Sequence, residues 1–122
     1  MKTPGPDHTI TVVTNPNRVR VRFAGRVVAD TTRALSLAEA SYPAVQYIPR
    51  ADVDMDLLVR SAHHTYCPYK GDAAYYSIAA DGRTAENAVW TYEQPYPAVA
   101  SIAGHVAFYR HRVDAIEETP AA

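Results

Sequence analysis

Between Arg18 and Phe23 the chain reads Arg-Val-Arg-Val-Arg-Phe, and this alternation restricts the fold more than any other stretch. A period of two puts Val19, Val21 and Phe23 on one face and three arginines on the other, the pattern of a half-buried β-strand. Asn15-Pro16-Asn17 precedes it with turn chemistry, because proline fixes φ and asparagine tolerates tight turns. Gly25 and Arg26 offer a tight turn into Val27-Val28-Ala29, so the two runs form a hairpin. The arginine face reads as the wet side of an antiparallel sheet, with long basic stems covering the pleat. A phosphate-contacting stripe is the other reading, to which Arg26 and Arg33 would add charge. Asp30 dilutes that patch, and a net charge of -1 gives no overall attraction for polyanions. The solvated face is favoured, and no nucleic-acid partner is expected.

The rest of the chain repeats the strand signal. Thr9 to Thr14 is β-rich. Leu35-Ser36-Leu37-Ala38-Glu39 alternates with both leucines inward. If that phase continues, Glu39 also points inward and requires a cation or donor; if the strand has ended, it is wet. Val45 to Ile48 is a further strand, stopped by Pro49. Asp52 can cap a short helix over Val53 to Ser61, with Asp52, Asp54 and Asp56 at its positive end. Ala73 to Ile78 and Ala88 to Tyr92 are strands around the hairpin turn Asp81-Gly82. Pro97 to Ala103 suits one helical turn. His105 to Tyr109 reads as a last core strand, and Arg110 to Glu118 as its extension or fray. The fold class is mainly β, with antiparallel sheets and one short helix. The chain of 122 residues suits one core: a loose N-terminal end over 1–8, a single β domain over 9–117, and a C-terminal tail over 118–122.

The single cysteine cannot form an internal disulfide or a multi-cysteine zinc site. No apolar signal core opens the sequence, and no run reaches the roughly 18 apolar residues of a spanning helix. A cytoplasmic, reducing setting without a membrane partner is expected.

Chemistry concentrates in Thr65-Tyr66-Cys67-Pro68-Tyr69-Lys70-Gly71, preceded by His63 and His64. A thiolate forms more readily beside cations, so Cys67 with His64 and Lys70 is a candidate nucleophile, base and positive charge. The competing and favoured reading makes Cys67 a small core hydrophobe. Lys70, confined between Pro68 and Gly71, can hold a carboxylate or phosphate, or can be a solvated turn lysine. Neither nucleotide-loop pattern of glycines is present. Adjacent histidines on a strand face opposite ways, and no paired-histidine metal spacing occurs, so no metal or other cofactor is expected. Trp90 and Tyr92, with Tyr75, form either ordinary core, which is favoured, or an aromatic wall for a flat ligand.

Four segments together resemble the small bacterial family known as domain of unknown function 427, sometimes given a nucleotidyltransferase-like name. They are Val27-Val28-Ala29-Asp30 with Glu39, Tyr47-Ile48-Pro49-Arg50-Ala51-Asp52-Val53, Thr65 to Ala73 with Tyr75, and Ala88-Val89-Trp90-Thr91-Tyr92 with Pro95. The resemblance runs from about Val19 to Val113. It implies a tent-like fold similar to Mss4 and methionine sulfoxide reductase B, without their zinc-holding cysteine pairs. It brings no established activity, and the sequence has no Gly-Ser motif followed by an Asp-x-Asp pair that would hold catalytic magnesium. The cleft residues that it implies are Glu39, Tyr47, Arg50, Asp52, Thr65, Cys67, Lys70, Tyr75 and Trp90.

Three functional readings are ordered from these observations. A binding module comes first, holding a small polar or anionic ligand in a cleft lined by Lys70, Glu39 and aromatic rings. A thiol-dependent enzyme using Cys67, His64 and Lys70 comes second. A structural domain, pairing as a homodimer through tyrosines, comes third.

Overall fold

The computed structural model describes residues 1–121, and it is built from ten strands. They are Ile10–Asn15 (β1), Arg18–Phe23 (β2), Arg26–Thr31 (β3), Ala34–Glu39 (β4) and Val45–Pro49 (β5), then Leu58–Cys67 (β6), Gly71–Ala80 (β7), Arg83–Thr91 (β8), His105–Phe108 (β9) and Ala115–Thr119 (β10). Seven form one sheet in the order β1-β4-β5-β9-β8-β7-β6, and β10-β2-β3 form another. Every strand pairing is antiparallel. The protein is mainly β, and its two sheets take up a tent-like arrangement.

The β2–β3 hairpin follows from its alternation. Val19, Val21 and Phe23 are buried, while Arg18 pairs with Asp30, and Arg22 with Glu117 at 2.6 Å. Those carboxylates occupy the arginine face, so it is the solvated side of a sheet and not a free basic stripe. Asp81 and Gly82 both have positive φ, the backbone that a two-residue hairpin between β7 and β8 requires.

Alternation also divides the interior. Ile48, Tyr76, Ile78, Val89, Val106 and Phe108 project from the large sheet into a core shared with Val19, Val21, Phe23 and Val28 of the small sheet. Their neighbours Tyr47, Tyr75 and Ala107 project from the opposite face, where Leu37, Tyr92, Val99 and Ile102 complete a second core. Tyr75 and Tyr76 therefore serve different cores.

Three expectations are corrected. The helix over Val53 to Ser61 does not form. Met55–Leu57 makes a single 3-10 turn, and the chain becomes strand from Leu58. Asp52 does not cap it, because its carboxylate accepts from Thr31 and Arg33. Backbone bonding from Asp54 to Val28 and pairing of Leu58 with Ile78 claim the groups that a helix would use. Where a helical turn is predicted over Pro97 to Ala103, Pro97–Ile102 forms two short 3-10 turns broken by non-helical backbone at Val99. The N-terminal residues are not loose. Lys2 donates its backbone N–H to Pro68, Gly5 bridges to His8, and the His8 ring stacks on Tyr69 at 4.0 Å. Finally, residues 115–119 neither extend β9 nor fray, but cross to pair with β2. Glu118 and Thr119 thus belong to a strand, and Ala122 of the expected tail lies outside the described residues.

The fully buried Ile78 sits in the shared core and Val13 is exposed on β1. Ile78→Ala is expected to cost about 2–5 kcal/mol in urea denaturation. Val13→Ala should stay within about 0.5 kcal/mol.

Candidate functional site

On the face of the large sheet away from the small one, a cleft of about 460 Å³ opens. Its walls come mostly from strand residues of one phase, Leu37 and Glu39 on β4, Tyr47 on β5, Thr65 and Cys67 on β6, Tyr75 on β7 and Trp90 on β8, with Tyr66 of the other β6 phase at its edge. Tyr42 and Pro43 from the β4–β5 loop, Lys70 from the β6–β7 turn, and Tyr92 and Tyr109 just beyond β8 and β9 close it.

The ammonium of Lys70 donates to Glu39 Oε1, and His8 Nε2 donates to Glu39 Oε2 at 2.7 Å. The Lys70 and Glu39 side chains are only 10% and 18% exposed. Burial pushes the Glu39 carboxyl up, but the bonds from Lys70 and His8 outweigh it, so the group lies below its ordinary range. Glu39 does point inward, and it is met by a cation. Gly71 makes the turn possible: its φ of +107° disfavours a side chain, and a Cβ there would stand 3.4 Å from the Gln94 carbonyl.

Phenols furnish the remaining walls. Tyr75 OH lies 3.0 Å from Thr65 Oγ1 and 3.2 Å from Tyr109 OH, forming a hydroxyl chain. Trp90 Nε1 donates to Tyr47 OH at 3.2 Å. Burial raises Tyr47 and Tyr92 well above the usual phenol value, and Tyr109, buried and bonded to Tyr75, is pushed up to about 12. These hydroxyls therefore stay protonated at neutral pH, able both to donate and to accept hydrogen bonds. They are not bases. Glu39, ionised and doubly bonded, has no tendency to take a proton either.

Of the residues anticipated from sequence, Glu39, Tyr47, Thr65, Cys67, Lys70, Tyr75 and Trp90 converge on this cleft. Three others lie elsewhere. Arg50, exposed at the margin of the shared core, donates to Tyr76 OH at 2.8 Å. Asp52 is bound to Thr31 and Arg33, whose bonds hold its carboxyl below the ordinary value. His64 lines a separate surface depression with Arg60, Asp72 and Glu93. Strand alternation gives the other phase to His63, whose ring meets Tyr75 at 4.6 Å. The thiol thus lacks the imidazole assigned to it, and Lys70 is committed to Glu39. Residues not anticipated are Tyr42, Tyr66, Tyr109 and the indirect member His8. Six of the nine tyrosines line the cleft, so the skewed aromatic composition was the signal that could have found them.

No group of three His, Cys, Asp or Glu side chains among the described residues is placed to hold a metal ion. No helix among them is long and apolar enough to cross a membrane.

Lys70→Met is expected to cost about 3 kcal/mol by stranding a largely buried carboxylate, and adding Glu39→Gln should recover much of it, measured as a double-mutant cycle. Because the folded Glu39 value is depressed, its stabilisation is complete above the ordinary carboxylate value of about 4.3 and is lost as pH falls through the folded value. The stability gap between wild type and Glu39→Gln at pH 6 should therefore narrow below about pH 4 in pH-dependent urea melts.

A family model described as Domain of unknown function (DUF427) matches residues 11–119. No curated protein matches the chain.

Proposed function

The chain belongs to the DUF427 family, whose description assigns no activity, and we propose from its cleft that the protein binds a small, partly flat, polar molecule. The observation that carries this reading is the convergence of phenol and indole side chains from distant segments around about 460 Å³, a volume within the range of small-molecule sites. Tyrosine presents apolar faces for stacking and a hydroxyl for orientation. Tyr47, Tyr75, Tyr92 and Tyr109 supply both along one wall.

Charge balance narrows the ligand class. Glu39 largely neutralises Lys70, so a neutral or zwitterionic molecule suits the cleft better than a simple anion. An incoming carboxylate has to compete with Glu39 for the same ammonium. The Lys70 ammonium also lies 6.0 Å from the Tyr92 ring centre, so a ligand stacked there reaches the ion pair and the hydroxyls together. Thiol catalysis has weaker support, because His64 lies outside the cleft. The cytoplasm, where one thiol stays reduced, is the setting we favour. The resemblance to the Mss4-like class is part of the same proposal, supported by two antiparallel sheets with a cleft on the larger one.

The test is a thermal-shift and fluorescence titration against nucleosides, amino acids and sugars, with Trp90, the only tryptophan, as reporter. A ligand at a hundredfold over its Kd is expected to raise Tm by about 10 °C. Tyr92→Phe should weaken it severalfold with the fold intact. If no member of the panel moves either Tm or Trp90 emission, the binding reading is wrong.

A further inference from the structure

We propose that the ligand of this cleft is amphiphilic, its polar head among the phenols and an apolar tail passing between β5 and β9 into the space beneath β2 and β10. The inference rests on the cleft reading above and adds the chemical class of the molecule.

The opening has a backbone cause. β5 is joined to β9 through only two residue pairs, Ile48 with Val106 and Pro49 with His105. Tyr47 and Val45 pair with β4 on their other side and have no partner on β9. β9 meanwhile stays paired to β8, Val89 with Phe108 and Trp90 with Ala107. The large sheet therefore forks between β5 and β9 on the N-terminal side of Ile48, and the bond from the Trp90 indole N–H to Tyr47 OH reaches across from β8.

A second cavity, of about 440 Å³, lies at that fork. It shares Tyr42, Pro43, Val45, Trp90 and Tyr109 with the cleft, so the two adjoin along that rim. Beyond the shared rim its chemistry changes: Val19, Val21, Ile48, Phe108 and Ile116 make a mostly apolar lining. Gln46 is already engaged with Ser36 and Asn15, and Arg110 with the Ile116 carbonyl. Water there has few partners, whereas each methylene moved into it gains free energy. A polar molecule confined to the first cavity leaves this space unused. One with a short alkyl or similarly apolar extension fills both.

The probe is a series of 4-hydroxybenzoate esters, methyl, propyl, butyl and hexyl, titrated against wild-type protein by Trp90 fluorescence. Affinity is expected to rise about fourfold per added methylene until the groove is full. Ile116→Asn should erase most of that gain for the hexyl ester and leave the methyl ester unchanged, its thermal melt showing that it folds. The wild-type series is decisive even if that variant does not fold. Binding of all esters with one common Kd would overturn the tail assignment and leave the cleft reading standing. Binding of none would overturn both. A concentration-dependent dimer in light scattering, with no dependence on chain length, would give the groove to a second copy and refute the tail.

Discussion

The Glu39–Lys70 ion pair sets the shape of the large sheet. Glu39 ends β4 and Lys70 lies in the turn before β7, and three strands, β5, β9 and β8, stand between β4 and β7. In a flat sheet four strand spacings would separate those positions by about 19 Å. A direct hydrogen bond requires the sheet to curl until its margins approach each other. The same place is tied twice more, by His8 to Glu39 and by the Lys2 amide to Pro68. Each charge alone would be costly in so dry a position, so the pair holds only as a pair. The cleft is the hollow of that curl.

Strand alternation then decides what the hollow contains. Successive residues of one strand face opposite ways, so Tyr75 enters the cleft wall and Tyr76 meets Arg50 behind it. In the same way Tyr47 faces the cleft while Ile48 packs under the small sheet. Covering one face with β2, β3 and β10 leaves the opposite face to be closed by the 3-10 segment Pro97–Ile102 and by loops. Such closure is incomplete, and the exposed remainder is lined by phenols, which tolerate a half-wet surface where aliphatic chains would not.

Much of this was legible in the chain, for local reasons. The period-two runs of β2 and β4 named their own inward apolar residues, Val19, Val21 and Phe23 on the first, Leu35 and Leu37 on the second. Of the two readings open for Glu39, inward and wet, the inward one required a cation or donor to meet it. What stayed hidden was the cation's identity, because Lys70 is 31 positions away and nothing local links them. His8 was hidden for the same reason. The segment after Asp52 carried helix-start chemistry and lost it to pairing with β7, a long-range gain that local propensity does not register. The assignment of His64 followed proximity to Cys67 in sequence, while the strand phase gives the shared face to His63.

The amino-acid order by itself determined a mainly β, antiparallel protein, its β2–β3 and β7–β8 hairpins, and the inward residues of β2. Those properties arise from nearest-neighbour geometry, steric limits on φ and the two-residue period. Which inward faces meet was decided only in three dimensions. The order of strands in the large sheet, its curl, the departure of β10 to the small sheet and the fork between β5 and β9 depend on contacts made across most of the chain. The cleft belongs to that second group, since a hollow is defined by residues that are neighbours only after the sheet has closed on itself.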